Sequence, residues 1–259
     1  MRWAKLAKVF RPALGFLLVF AFWWILATSA WADMPPRTLW LADPVDVIKR
    51  IASFSTEEWQ SVLATLQRIG IGFCLVLILG VPIGLALGYS ARVYRIFAGP
   101  VDFWRSIPPI AVLPLFFFVF PKGDWARISL VVFGCLPILF TQIADAFASI
   151  PTERRELLDQ GGASLLFKQR WLYLYELLPA VFTGARIVIS FSVIIVVASE
   201  MAWGAGIGLG DRINNTRFAY DTAGGYAFAL VAGTFGFFVN TLIRMLERKI
   251  FFWNPTTGR

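Results

Sequence analysis

Long uncharged apolar runs, separated by short polar stretches, constrain this chain more than any other feature. The clearest runs from Ile69 to Ala91 without one charged side chain. About 20 such residues in a helix cross the ~30 Å hydrocarbon core of a bilayer. Lipid offers the backbone no hydrogen bonds, so a run of this kind must close its own as a helix. Residues 12 to 32, Ile128 to about Ile143, Leu177 to about Trp203 and Thr222 to Ile243 read the same way. A proline-containing apolar stretch after Arg105 supplies a sixth span. With 58% hydrophobic residues over 259 positions and a mean hydropathy of +0.68, the chain exceeds the roughly 45 to 50% apolar share of soluble domains. The fold class expected is an all-α integral membrane bundle of six transmembrane helices.

Composition removes several functions. There is no histidine, which excludes His-based catalysis and His-containing metal sites, and no metal site or cofactor is expected. Cys74 and Cys135 both fall inside apolar runs, so no disulfide framework is read. No Gly-x-x-x-x-Gly-Lys-Ser/Thr loop occurs, so ATP, if used, is bound by another chain. The net charge of +8 comes from basic residues scattered between apolar runs, which argues against a nucleic-acid partner.

The scatter has a side. Six spans place both termini together, and fourteen Lys and Arg fall on their side: Arg2 to Arg11, Arg92 with Arg95, the 154–170 stretch, and Arg244 to Arg259. Seven lie opposite, at positions 37, 49, 50, 122, 127, 212 and 217. The positive-inside rule then makes the termini and the Pro151 segment cytoplasmic. At the start, Ala30-Trp31-Ala32 resembles a cleavage site after a charged leader, but Phe22, Trp23, Trp24 and the length of the run favour a retained helix. The Pro44 to Phe54 stretch is amphipathic and too short to span, so an extracytoplasmic surface helix is expected there.

Within the spans, Gly80, Gly84 and Gly88 recur every four residues, a stripe that lets two membrane helices approach closely, and Pro82 should kink its helix. Arg105-Ser106-Ile107-Pro108-Pro109, followed by Leu113-Pro114-Leu115, argues for a broken helix beside a cavity, since the freed carbonyls could not face lipid. Arg68 and Arg186 are expected to snorkel at helix ends. Arg105 and Glu200 are candidates for a pathway or its gate, against a structural ion pair. The Phe116 to Phe118 run reads as packing or lipid-facing surface.

Between Pro151 and Pro179 lies a charged interruption, PTERRELLDQGGASLLFKQRWLYLYELLP. Pro151 suits a first helical turn, Glu153 and Glu156 sit near its positive end, and Gly161-Gly162 ends it. A second amphipathic helix is expected from Ser164 through Phe167, Trp171 and Leu174. An ordinary amphipathic loop is the plainer reading.

This segment, with Glu156, Gly162, Ala163 and Ser164 matching a Glu-Ala-Ala-x-x-x-Gly pattern and Leu178-Pro179 following, resembles the coupling loop of ATP-binding-cassette (ABC) importer permeases. Leu157 and Leu158 replace the two alanines, and Tyr175 stands where a first proline is usual. The Arg105 to Pro109 and Leu113 to Leu115 stretches, with Glu200-Met201 and Gly208-Leu209-Gly210, are similar to the nitrate, sulfonate, taurine, bicarbonate and thiamine-precursor subfamily. The resemblance covers about residues 40 to 250. It implies a permease subunit with no covalent chemistry of its own, in the bacterial inner membrane. It also implies an ATPase-coupling set of Glu156, Leu157, Leu158, Gly162 and Ala163, and a pathway or gate set of Arg105, Ser106, Pro108, Pro109 and Glu200. The partners implied are two copies of a cytoplasmic ABC ATPase, an extracytoplasmic solute-binding protein, a second permease copy as homodimer, and lipid. Residues 1–60 would form the first span and outer amphipathic segment, 61–250 the permease domain with its coupling loop at 151–179, and 251–259 a short tail. The alternative is a proton-coupled secondary transporter using Glu200 and Arg105; a membrane enzyme or scaffold fits the residues less well.

Overall fold

A computed structural model describes residues 2–28, 41–120, 123–162, 164 and 173–251, with the backbone alone for 2–13, 155, 158, 159 and 174. The regular elements among the described residues are all helices, without a strand. In order they form α1 (Arg2–Thr28), α2 (Pro44–Ala52), α3 (Thr56–Tyr89), α4 (Ala91–Ser106), a 3-10 turn (Pro109–Val112) and α5 (Leu113–Val119). There follow α6 (Asp124–Ala148), α7 (Thr152–Gln160), α8 (Leu174–Trp203), α9 (Leu209–Phe218) and α10 (Thr222–Ile250). Four helices, α3, α6, α8 and α10, are long and apolar enough to cross a membrane. A fifth crossing is made if the bent pair α4 and α5 counts as one, while the apolar part of α1, Leu14–Thr28, is shorter.

The core is the contact of α3 with α6. Both run the same way, and the glycines of α3 set the distance. A Cβ on Gly72, Gly80, Gly84 or Gly88 would stand 2.9, 2.8, 2.8 or 2.6 Å from Val131, Leu139, Ile143 or Phe147 respectively. Real Cβ atoms do not approach so closely, so only hydrogen fits there. α8 packs antiparallel to α6, where Gly184 gives room to the same Leu139 that faces Gly80, and Gly134 of α6 is enclosed by Ile195 and Pro109. Ile69, Val76, Leu139, Val188 and Val196 are buried at this junction. α10 runs antiparallel to α8, and α1 lies along α10 through an edge-to-face pair of Phe16 with Phe237.

At one end of the bundle, short elements are tied to span ends by polar side chains. Ser55 opens α3 with a capping box: its hydroxyl accepts from Glu58 N at 3.3 Å, and the Glu58 carboxylate accepts from Ser55 N at 2.7 Å. Arg50 of α2 forms an ion pair with that carboxylate and reaches Asp221 at 3.4 Å, which itself caps α10 by accepting from Gly224 N. The hydrogen bond with Glu58 holds the Arg50 pKa above its ordinary value. Phe54 stacks on Phe228 beneath this group, and Trp23 of α1 donates to Ala42 O. The amphipathic Pro44 to Phe54 stretch is therefore docked on the bundle, with Val47 wholly buried.

The starts of α3 and α6 differ from the sequence reading. α3 begins at Thr56 rather than Ile69, and α6 at Asp124 rather than Ile128. In both cases a charge marked the limit: Arg68 is ion-paired inside the bundle, while Arg127 is buried against the Gly204 carbonyl and the Phe117 ring. Arg68 is not a snorkelling residue: it is 5% exposed and paired with Asp124 and Glu200. Arg186 also has a carboxylate partner, Glu247, at 3.1 Å.

Candidate functional site

The broken span comes first, because its sequence dictates its shape. α3 and α4 meet at Ser90, whose hydroxyl accepts from Val93 N. α4 then ends at Ser106, because Pro108 biases Ile107 to extended backbone and Pro109 donates no hydrogen bond. The chain turns by 82° between α4 and the following Pro109–Val119 segment. Pro109 seats against Gly134, midway along α6, so the break lies deep in the bundle. Ile107 N and Ala111 N recover partners in Trp104 O and Pro108 O, at 3.1 and 3.0 Å.

Arg105, Ser106 and Pro108 are exposed at this break, and Pro109 is half-buried. Ser106 turns its hydroxyl back to Asp102 O at 2.8 Å. Arg105 lines a small cavity of about 50 Å³ with Tyr94, Asp102 and Thr141. The arrangement places a cation, a hydroxyl and a carboxylate on a surface of the bundle at mid-depth.

Glu200 takes no part in that group. It is wholly buried near the end of α8, where its carboxylate forms an ion pair with Arg68 and accepts from Thr65 Oγ1 and Gly210 N, each at 2.9 Å. Thr65 Oγ1 in turn accepts from Leu209 N at 2.8 Å, and Arg68 Nε donates to Asp124 at 2.7 Å. Arg127, 4% exposed, donates to Gly204 O at 2.6 Å and lies 5.4 Å from the centre of the Phe117 ring, which stacks on Trp203. Two arginines and two carboxylates thus hold the Gly204–Gly210 loop across α3, α6 and α8. The glycines are required: a Cβ on Gly208 would come within 2.8 Å of the Glu200 carboxylate oxygens, and one on Gly210 within 2.2 Å of Val197 O. Sequence reasoning named Glu200 but not Thr65, Asp124 or Arg127. The available signal was that Asp124 and Arg127 open an apolar run three positions apart, on one face of a helix.

The third element is α7, which hangs from the end of α6 opposite this loop. Ile150 is buried with Phe147 and Leu177, and Phe147 stacks on Tyr173. Beyond that anchor Glu153, Arg154, Glu156 and Leu157 are exposed, Leu157 at 68%. Arg154 forms an ion pair with Glu176 at the start of α8. Gly162 turns the chain with φ of +66°, in the left-handed region that disfavours side chains. The Leu158 side chain, Ala163 and the helix expected after Ser164 lie outside the described residues.

Residues 80–252 match the family described as binding-protein-dependent transport system inner membrane component. The chain belongs to that family. Its described helices match those of solved transporter chains as well. The first is a chain of the MetNI methionine ABC transporter in an inward-facing conformation, with a TM-score of 0.64 and 21% identity, covering 76% of this chain and 99% of that one. The second is an amino acid ABC transporter crystallised with histidines, with a TM-score of 0.60 and 14% identity over 80% and 99%. Among relatives of this inner membrane component, the taurine transport system permease protein TauC of Escherichia coli K12 is 26% identical, over 98% of this chain and 93% of TauC. The formylaminopyrimidine transport permease protein ThiX of Halalkalibacterium halodurans is 26% identical over 95% and 96%. The nitrate import permease protein NrtB of Synechocystis is 25% identical over 78% and 75%. Membership replaces the proton-coupled alternative, and the geometry agrees: the cation bound to Glu200 is Arg68, while Arg105 lines another pocket.

Proposed function

We propose that this chain is the permease subunit of an ABC importer for a small solute, coupled through α7 to a separate ATPase. The observation that carries the reading is α7 itself. A nine-residue helix that holds Leu157 out in water, between charged neighbours, has its apolar side chain uncovered. Docking into a partner's groove would remove it from solvent. The ion pair of Arg154 with Glu176 and the direct chain link to α6 would pass a displacement of α7 to two spans. Glu156, Leu157, Leu158, Gly162 and Ala163 form the coupling set in this reading.

In this reading the chain crosses a bacterial inner membrane six times, with α7 and both termini on the cytoplasmic side and the Gly204–Gly210 loop outside, which the excess of Lys and Arg on the side of the termini supports. Two copies of the permease form the pathway between them. Two ATPase subunits meet α7 on one side, and a solute-binding protein delivers cargo on the other. ATP-driven closure of the ATPase pair biases the bundle toward one global state, and the loaded binding protein biases it from the opposite face. Arg105, Ser106, Pro108 and Pro109 line the pathway at the broken span. Glu200 acts at the outer gate, by fixing its loop. The cargo in this reading is a small polar solute, which relatives named for taurine, formylaminopyrimidine and nitrate support, and Arg105 would supply a cation for an anionic or zwitterionic one.

The test is copurification from gently solubilised membranes, comparing the native chain with a version whose residues 153–164 are replaced by a Gly/Ser linker. An ABC ATPase is expected with the native chain alone. An ATPase retained by the linker version removes α7 from the coupling.

A further inference from the structure

Between α8 and α10 a cleft of about 400 Å³ opens to the outside of the bundle, lined by Arg186, Arg244, Asn240, Ser190 and Phe191 among others. We propose that it binds the phosphate of an anionic glycerophospholipid, phosphatidylglycerol in type, from the leaflet on the side of the chain termini. The charge is suited to this. Arg186 lies 3.1 Å from Glu247, which balances it in part, whereas Arg244 is exposed and has no carboxylate in ion-pair reach among the described residues. The cleft therefore carries one uncompensated positive charge. Asn240 adds an amide whose Oδ1 is buried without a hydrogen-bond donor among the described residues.

Depth and shape point to lipid rather than to a free anion. At 1.5 Å per residue, Arg186 lies about 26 Å along α8 from Trp203, and Arg244 about 27 Å along α10 from Tyr226. If those aromatic residues mark one interface, both arginines reach the other edge of the ~30 Å hydrocarbon core. From the arginines toward the middle of the bundle, the exposed surface becomes apolar. Phe191 and Ile194 on α8 are 46% and 62% exposed, and Phe237 and Phe238 on α10 are 57% and 63% exposed. A basic pocket at headgroup depth with an apolar track above it fits a phosphate with an acyl chain. A dissolved anion would use only the pocket.

The experiment follows phosphatidylglycerol binding to the full chain in nanodiscs of otherwise zwitterionic lipid, by the rise in unfolding temperature with phosphatidylglycerol fraction. Arg244→Gln, an exposed change that leaves the Arg186–Glu247 pair in place, is expected to weaken that binding about fivefold. The double variant Arg186→Gln/Glu247→Gln, which strands no buried charge and leaves the net charge of the cleft unchanged, is expected to weaken it less than Arg244→Gln, through loss of the guanidinium donors alone. A photo-crosslinker at Phe191 should form adducts with lipid. Unchanged phosphatidylglycerol dependence in both variants overturns the proposal. So does equal protection by inorganic phosphate or nitrate in zwitterionic discs, which would make the cleft a site for soluble anions. Crosslinks from position 191 to a second copy of the chain, in place of lipid, overturn it as well.

Discussion

Replacing Glu200 by Gln keeps the shape of the side chain and removes the charge from the most enclosed carboxylate of the bundle. Arg68, only 5% exposed, then retains Asp124 alone, and Asp124 is 55% exposed. Removing one partner from a buried ion pair costs about 3 to 5 kcal/mol, and the surviving Asp124 contact argues for the lower end, about 3 kcal/mol. The amide adds a mismatch. Its oxygen can accept from Gly210 N or from Arg68, but its NH2 group must face one of the donors the second carboxylate oxygen now serves. For a chain of this size that loss lowers the midpoint of thermal unfolding in detergent by about 6 to 12 °C. Replacing the whole pair with apolar residues, Arg68→Met with Glu200→Leu, should recover part of the loss, because no buried charge remains unpaired and Asp124 is solvated, although Gly210 N and Thr65 Oγ1 lose their acceptor. A Glu200→Gln midpoint within about 2 °C of the native value would show that the pair does not hold the loop. A double variant no more stable than Glu200→Gln would show that the charge balance is not the cause.

Two further substitutions test the packing and the coupling segment. Gly84→Ala would push a Cβ to 2.8 Å from Ile143 and 2.9 Å from Phe140 O, and is expected to destabilise by about 1 to 3 kcal/mol; Gly70→Ala, on the same helix with nothing within 4 Å, should be neutral or slightly stabilising in the same unfolding assay. Gly162→Asp, which forces a side chain into φ of +66°, should spare membrane insertion but uncouple ATP hydrolysis from uptake in reconstituted vesicles; normal uptake would exclude the turn from the mechanism.

What could be read in the sequence was whatever depends on neighbours in the chain. The apolar runs gave the class of protein, the prolines after Ser106 gave the break, and the charged 151–162 stretch stood out as a separate helix. Gly80, Gly84 and Gly88 could be seen as a stripe, though not that Val131, Leu139, Ile143 and Phe147 set the opposing register. Charges were harder. Arg68 finds Glu200 across 132 positions of chain, and nothing local distinguishes a buried arginine with a distant carboxylate from one that reaches for the interface. The same ignorance misplaced the starts of α3 and α6, since an ionic residue looks like a boundary until its partner is known. Glu200 was noticed because a carboxylate in an apolar run is conspicuous. Arg127 was overlooked because it follows Pro-Lys-Gly-Asp and resembles a loop cation.

The regular spacing of the α3–α6 contact has a mechanical meaning. Gly72, Gly80, Gly84 and Gly88 of α3 each meet a residue the same number of positions further along the chain, so the two helices interlock like toothed racks lying side by side. A small slide would drive teeth into backbone, and the next seat is a full helical turn away. The pair therefore travels as a single strut, and deformation must be taken up where the chain is already interrupted, at the proline break after Ser106 and at the glycine loop after Trp203. On the coupling proposed above, a push delivered at α7 would reach both hinges through one rigid piece.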